Sequence, residues 1–398
     1  MTIEKQNDLL PSTKLIHSGT RRSQYGEMSE AIFLTQGFVY PDAEAAEERF
    51  KADDLGDNYI YARYGNPTVA MFEDRLASYE GAEAGFATAS GMAAVSGALL
   101  AQLKSGDHVV ASKALFGSCL YVLDVLLRRF GVDVTFVEGS NLTEWAEALS
   151  RPTQAVFFES PSNPMMEMVD IAAVSELAHA AGAKVVVDNV FATPVFQRPL
   201  ELGADIVVYS ATKHIDGQGR CLGGIVLGKK DFILGDLQTF MKHTGGSMSP
   251  FNAWVLLKSL ETLELRIHAQ TETARRLADV ILGHPKVQSL VYPGHPDHPQ
   301  ADLIKRQMTG GSTLLTFKLD GGQSAAFRFL NALNLVSITN NLGDSKSLVT
   351  HPGTTTHQRL SEAERLALGI HPGTVRISCG LEAFEDLSAD ICQALDAV

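Results

Sequence analysis

Lys213 closes the run Val207-Val208-Tyr209-Ser210-Ala211-Thr212-Lys213-His214, so an apolar, β-like stretch delivers an amine into a small, hydroxyl-rich turn. A second run, Lys184-Val185-Val186-Val187-Asp188-Asn189, ends in a carboxylate 25 residues upstream of that lysine. An amine able to hold an aldehyde as a Schiff base, with a carboxylate able to keep a pyridine nitrogen protonated, is the pair that pyridoxal phosphate chemistry requires. Read singly, Asp188 is equally a strand-end turn former and Lys213 a solvated loop lysine.

The elements that must position these groups follow from periodicity. Short β-branched runs at 108–110, 133–137, 154–158, 184–187, 205–208 and 224–227 alternate with helical patterns such as 171–181. That alternation predicts βαβ units and a mostly parallel sheet covered on both faces, with functional groups projecting from the strand ends. The first sixty or so residues are polar and rich in Gly, Gln, Tyr and acidic side chains, with little periodicity before 43–50. Such an arm lacks a core of its own and is expected to dock on a neighbouring subunit. Beyond Pro250-Phe251 a long helical stretch over 254–282 precedes strand-like runs at 314–317, 335–339 and 375–378, which predicts a smaller α+β domain. The expected division is an arm over 1–65, a large domain over 66–255 and a small domain over 256–398.

A chain of 398 residues exceeds the size of a single core, consistent with roughly two domains. Its net charge of -13, with no Lys/Arg-rich run, argues against nucleic acid or an anionic membrane surface as partner. An anionic substrate must therefore be met by local arginines. Residues 1–8 lack an apolar signal core and no stretch reaches the roughly 18 apolar residues of a membrane span, so a soluble cytoplasmic protein is expected. Cys119, Cys221, Cys379 and Cys392 are scattered without a CxxC pair, the usage of a reducing compartment, and suggest neither disulfides nor zinc. Gly294-His295-Pro296-Asp297-His298-Pro299 offers two histidines, but its prolines make a stiff surface turn a better account than a metal site.

Ala89-Ser90-Gly91-Met92-Ala93-Ala94 opens a helical pattern running to Leu103, and a small-residue turn there presents unpaired N–H groups to an anion such as a cofactor phosphate. An ordinary Ser N-cap is the alternative. Ser210 and Thr212, flanking Lys213, offer hydroxyl donors to the same anion. Tyr59-Ile60-Tyr61-Ala62-Arg63-Tyr64-Gly65-Asn66-Pro67-Thr68 gathers aromatics around an arginine, which by itself also describes a surface loop stapled by tyrosines. With Ala89 to Ala94, Glu159-Ser160-Pro161-Ser162-Asn163-Pro164, Val187-Asp188-Asn189 and Ser210-Ala211-Thr212-Lys213-His214, this segment resembles the Cys/Met-metabolism group of pyridoxal-phosphate enzymes. The resemblance runs from the arm to Arg376.

The resemblance implies an α/β, aspartate-aminotransferase-like architecture (fold type I). It has a mostly parallel seven-stranded sheet in the large domain, a smaller α+β C-terminal domain, and assembly as a homotetramer of two active dimers. It implies that Lys213 is the Schiff-base lysine and proton shuttle and Asp188 the partner of the pyridine nitrogen. Gly91, Met92, Ser210 and Thr212 would hold the phosphate, joined by Tyr61 and Arg63 from a neighbouring subunit, with Tyr61 counted among the catalytic residues. Asn163 would sit near the cofactor's phenolic oxygen. Arg376 would clamp the substrate α-carboxylate, a bidentate task that suits a guanidinium. Without the family, Arg376 reads equally well as a strand-end surface arginine.

Leu115-Phe116-Gly117-Ser118 occupies the place where many relatives carry a tyrosine stacked on the cofactor ring, so Phe116 keeps the stacking and loses the phenol. A missing proton donor matters most when the leaving group is a thiolate, whose acid has a pKa of about 8.5, and least for a carboxylate near 4. Release of an acyl-derived carboxylate is therefore expected over thiol-releasing lyase chemistry. Ile338-Thr339-Asn340-Asn341-Leu342-Gly343-Asp344 is similar to sulfhydrylases, with Asn341 where lyases and cystathionine synthases commonly have serine. Gly217-Gln218-Gly219-Arg220-Cys221-Leu222-Gly223-Gly224 and His351-Pro352-Gly353-Thr354-Thr355-Thr356-His357 resemble the O-succinylhomoserine sulfhydrylase branch. Arg220 is a candidate for a distal carboxylate, or else a brace for the glycine-rich loop. Cystathionine γ-synthase, γ-lyase, use of the acetyl ester, and a non-catalytic cofactor-binding assembly protein remain the alternatives.

Overall fold

The computed structural model describes residues 9–51 and 58–398, so residues 1–8, read above for a leader, lie outside it. The expected alternation is present as seven strands: β1 (Ala84–Thr88), β2 (His108–Ser112), β3 (Asp133–Val137), β4 (Ala155–Glu159), β5 (Lys184–Asp188), β6 (Ile206–Tyr209) and β7 (Gly224–Gly228). They form one sheet in the order β1-β7-β6-β5-β4-β2-β3. β2 pairs parallel with β3 and β4, and β4 with β5, while β1 pairs antiparallel with β7. Strands such as Val185-Val186-Val187 are buried continuously, as a sheet covered on both faces demands. The order reverses between β2 and β4, and in such sheets ligands bind beyond the carboxyl ends of the strands.

The chain divides into two compact units. The first comprises Met1–Gln102, Val208–Thr212 and Arg220–Thr262. Within it the arm is fastened by one buried arginine on the helix Pro67–Glu80, which starts at an Asn66 N-cap with proline behind it. Arg75 Nε donates to the Ser18 carbonyl (2.9 Å), and Nη2 to Thr20 Oγ1 (2.8 Å) and Glu30 Oε1 (2.5 Å). Lys258 Nζ reaches the other Glu30 oxygen at 3.1 Å, and Trp254 Nε1 donates to the Glu30 carbonyl at 2.8 Å. The polar arm is thus held largely by hydrogen bonds, with Leu15 of the short helix Pro11–His17 as its buried apolar contact.

The second unit comprises Leu103–Val207, Lys213–Gly219 and Leu263–Val398. It holds a second sheet of β8 (Val287–Val291), β9 (Leu314–Leu319), β10 (Ser337–Ile338), β11 (Leu348–Thr350) and β12 (Thr374–Ser378), ordered β10-β11-β12-β9-β8. The helices Leu263–Leu282, Gly322–Ala332 and Phe384–Asp396 pack on it through Leu277, Phe329, Ile391 and Phe317. The helix expected over 254–282 is two, Pro250–Leu260 and Leu263–Leu282. Thr262 N–H turns back to the Ser259 carbonyl in a tighter three-residue bond and ends the first helix. The strand expected over 335–339 shrinks to Ser337–Ile338, an exposed edge. Strands β1, β8 and β11 carried too little alternation to be read in advance. No helix among the described residues is long and apolar enough to cross a membrane.

Glu30 loses its proton far more easily than an ordinary glutamate, with its pKa about 2. Burial opposes this and is the largest single effect, but the Arg75 and Lys258 partners outweigh it. A depressed carboxyl stabilises the fold fully above the unfolded value near 4.5 and loses that contribution as pH falls through about 2. Glu30→Ala leaves Arg75 buried without its counter-charge and should cost about 3 kcal/mol at pH 7 in urea unfolding. The gap between variant and wild type should close on acidification across that window. A gap independent of pH would show that the ion pair contributes nothing.

Candidate active site

Strand β6 ends at Tyr209, and the turn after it is pinned from below. Arg266 Nη1 donates to the His214 carbonyl at 2.8 Å and Nη2 to the Ile215 carbonyl at 3.3 Å. Gly217 closes this turn at φ +66°, and a Cβ there would run into the Arg266 guanidinium. His214 stays neutral, because burial first and the Arg266 charge second push its pKa down to about 3. The turn therefore holds Lys213 on a rigid base, and its Nζ donates to Asn341 Oδ1. Burial, reinforced by the nearby Arg376 charge, lowers the Lys213 pKa to about 8.

Asp188 ends β5 directly beside Glu159, which ends β4 in register with it. Glu159 is buried, and its Oε1 accepts the Phe116 N–H at 2.6 Å. Burial raises both carboxyls, and the Asp188 charge raises Glu159 further, so Glu159 keeps a proton and Asp188 carries the charge. Cys119 completes a tight trio with them, its ligand atom within 4.8 Å of theirs. Burial pushes that thiol well up, so it stays protonated.

Arg376 lies on the central strand β12 and is fully buried, which removes the reading of it as a surface arginine. Its Nη1 donates to Asn163 Oδ1 at 2.7 Å, and Nη2 to the carbonyls of Asn340 (3.2 Å) and Asn341 (3.3 Å). Its Nε has no partner among the described residues, and each of those acceptors is neutral. Burial lowers its pKa to about 10, so it keeps its charge at neutral pH, and no carboxylate among the described residues is bonded to it. A buried, hydrogen-bonded cation without a counter-charge is a receptor for an anion. His357, also buried, is held neutral by burial and then by Arg376, at a pKa of about 4.

The other predicted residues lie in the first unit. Ser90 is indeed an N-cap, accepting the Ala93 N–H at 3.2 Å, which leaves the amides of Gly91 and Met92 at the open end of the helix Gly91–Leu100. Gly91 lies against Ser210, whose Cβ a side chain at Gly91 would meet at 2.6 Å. Thr212 Oγ1 and the Gly223 backbone bond reciprocally, at 3.0 and 3.2 Å. Arg63 stands over the rings of Tyr61 (5.4 Å) and Tyr64 (5.0 Å), and Tyr61 is exposed. Arg220 donates to Ser259 Oγ.

Within the second unit, Lys213, Asp188, Phe116 and Asn341 each keep part of their surface open, whereas Val187, Asn189 and His214 beside them are buried. A half-open amine of lowered pKa, a charged carboxylate backed by a second acid, and an aromatic ring fit pyridoxal phosphate. Within the first unit, the open helix end at Gly91 can take an anion such as a phosphate. A cavity of about 1180 Å³ begins at Phe116, Asn340 and His357. Glu159 and His357 were not anticipated as site residues. Glu159 could have been, since it ends an apolar strand as Asp188 does, whereas His357 becomes visible only through its burial beside Arg376.

The family model described as "Cys/Met metabolism PLP-dependent enzyme" matches residues 12–396. The chain is 56% identical to a protein of Mycobacterium tuberculosis named O-succinylhomoserine sulfhydrylase, over 96% of this chain and 94% of that one. It is 40% identical to a protein of Fusobacterium nucleatum named L-methionine gamma-lyase, over 97% and 98% of the two chains. Its fold superposes on the crystal structure of metB from Corynebacterium glutamicum with a TM-score of 0.92 at 33% identity, over 98% and 99%.

Because only the neutral amine attacks an aldehyde, the rate at which the apoprotein takes up pyridoxal phosphate should rise with pH through about 8 and then level off. Stopped-flow absorbance would follow it. A midpoint near the ordinary lysine value of about 10.4 would mean that burial does not activate Lys213.

Proposed function

Since the chain belongs to the Cys/Met metabolism family of PLP-dependent enzymes, we propose that it replaces the succinate of O-succinylhomoserine with hydrosulfide, giving homocysteine and free succinate. The observation that carries this reading is Phe116, whose ring lines the cavity and brings no acidic hydroxyl with it. The name of the M. tuberculosis relative supports the same assignment.

Pyridoxal phosphate, when bound, supplies an aldehyde that takes up an amine and a ring that withdraws electrons from the substrate α-carbon. We assign its phosphate to the amides of Gly91 and Met92 and the hydroxyls of Ser210 and Thr212, with Tyr61 and Arg63 reaching it from a second copy. Its ring nitrogen falls to Asp188, its ring face to Phe116 and its phenolic oxygen to Asn163. The same reading makes the protein a cytoplasmic homotetramer of two active dimers.

Arg376 takes the substrate α-carboxylate, which supplies the counter-charge that its buried guanidinium lacks. Asn341 orients the Lys213 amine from the side. A large share of that amine is neutral near its pKa of about 8, so it removes the α-proton and then moves protons between Cα and Cβ. Succinate leaves from Cγ as a carboxylate and needs no donor. Hydrosulfide adds at Cγ and keeps its proton as the product thiol, and Lys213 returns the two carbon protons to Cβ and Cα.

The test incubates the holoenzyme with O-succinylhomoserine and either sulfide or cysteine, with the acetyl ester in parallel, and reads products by mass spectrometry. Homocysteine from the succinyl ester and sulfide is the expected result. Cystathionine as the dominant product would move the chain to the synthase reaction, and consumption of methionine alone to the lyase reaction. Phe116→Tyr restores the phenol and should raise thiol elimination from homocysteine about tenfold or more. No gain would remove the leaving-group argument.

A further inference from the structure

The cavity that begins at Phe116 and His357 contains five charged side chains, and four of them are already satisfied. Lys113 Nζ is 2.7 Å from Glu138 Oε1, which accounts for both. Asp124 is bound by Arg128 Nε at 2.9 Å, and Glu364 accepts the Ser361 N–H at 2.7 Å within a capping box. Arg359 is the fifth. It is exposed in the cavity wall and has no hydrogen bond, ion pair or ring contact among the described residues.

The backbone that presents it is fixed. His357 N–H bonds to the Pro352 carbonyl (3.0 Å), Gln358 N–H to Thr355 (3.3 Å) and Leu360 N–H to His357 (3.2 Å). His357 anchors this turn in the interior beside Arg376, and Arg359 follows two residues later within the same turn. A fully engaged lysine, three engaged carboxylates and one unengaged guanidinium leave the wall one place where an anion can be bound.

We propose that Arg359 is a specificity-determining residue that receives the distal carboxylate of the succinyl ester. The idea rests on the acyl-homoserine reading given above. With the α-carboxylate on Arg376, the succinyl group extends past His357 and ends in a second carboxylate, which the acetyl ester lacks. A guanidinium can take that carboxylate through two parallel N–H···O bonds. Arg220 is less suited to the task, since its guanidinium is engaged with Ser259.

The experiment compares wild type, Arg359→Ala, Arg359→Lys and Arg359→Glu as holoenzymes, with sulfide held constant and either the succinyl or the acetyl ester varied. The ratio of kcat/KM for succinyl over acetyl ester should fall about tenfold in Arg359→Ala and further in Arg359→Glu, through KM rather than kcat, with partial recovery in Arg359→Lys. Free succinate should inhibit wild-type turnover of the acetyl ester competitively, and its inhibition constant should rise by a similar factor in Arg359→Ala. An unchanged ratio together with undiminished succinate inhibition in Arg359→Glu would overturn the role of Arg359 while leaving the sulfhydrylase reading intact. A wild-type enzyme that converts neither ester would overturn both.

Discussion

A single buried carboxyl group, Glu159, determines how the ends of β4 and β5 can be used. Two carboxyls side by side at the end of a sheet cannot both ionise cheaply out of water. Glu159, the more buried, keeps its proton, which leaves the neighbouring charge to Asp188. The same group accepts the Phe116 N–H, so the acid that sets the charge also sets the position of the aromatic residue. Three residues from three parts of the chain are thereby brought into one register by a contact worth about 1 kcal/mol.

Burial without full compensation recurs through the site. Lys213 is lowered by burial and by Arg376, His214 and His357 are held neutral, and Arg376 donates only to neutral oxygens. None of these groups would be arranged this way for stability, since paired or apolar replacements would be more favourable. By contrast each charge of the Arg75–Glu30–Lys258 cluster that fastens the arm faces an opposite charge. The contrast separates charges that hold the chain together from charges left waiting for a ligand.

Much of the architecture was legible because strand ends and βαβ alternation leave a strong periodic signal. Six of the seven large-sheet strands fall where β-branched runs stand, and Lys213 and Asp188 could be singled out because each interrupts such a run at its end. A short element left no such signal, as the three-residue β11 shows. The break at Glu261–Thr262 is a local backbone choice inside an uninterrupted helical pattern. Glu159, His357 and Arg359 were harder for another reason: each matters through what surrounds it, or fails to surround it, and partners distant in the chain are invisible to periodicity.

The missing counter-charge at Arg376 also bears on how long the protein lasts. A buried cation without its anion holds the empty fold at a higher free energy than the occupied one, and a carboxylate that reaches it stabilises the folded state by mass action. Resistance to unfolding, and with it survival against proteases, then tracks how often a carboxylate occupies this position.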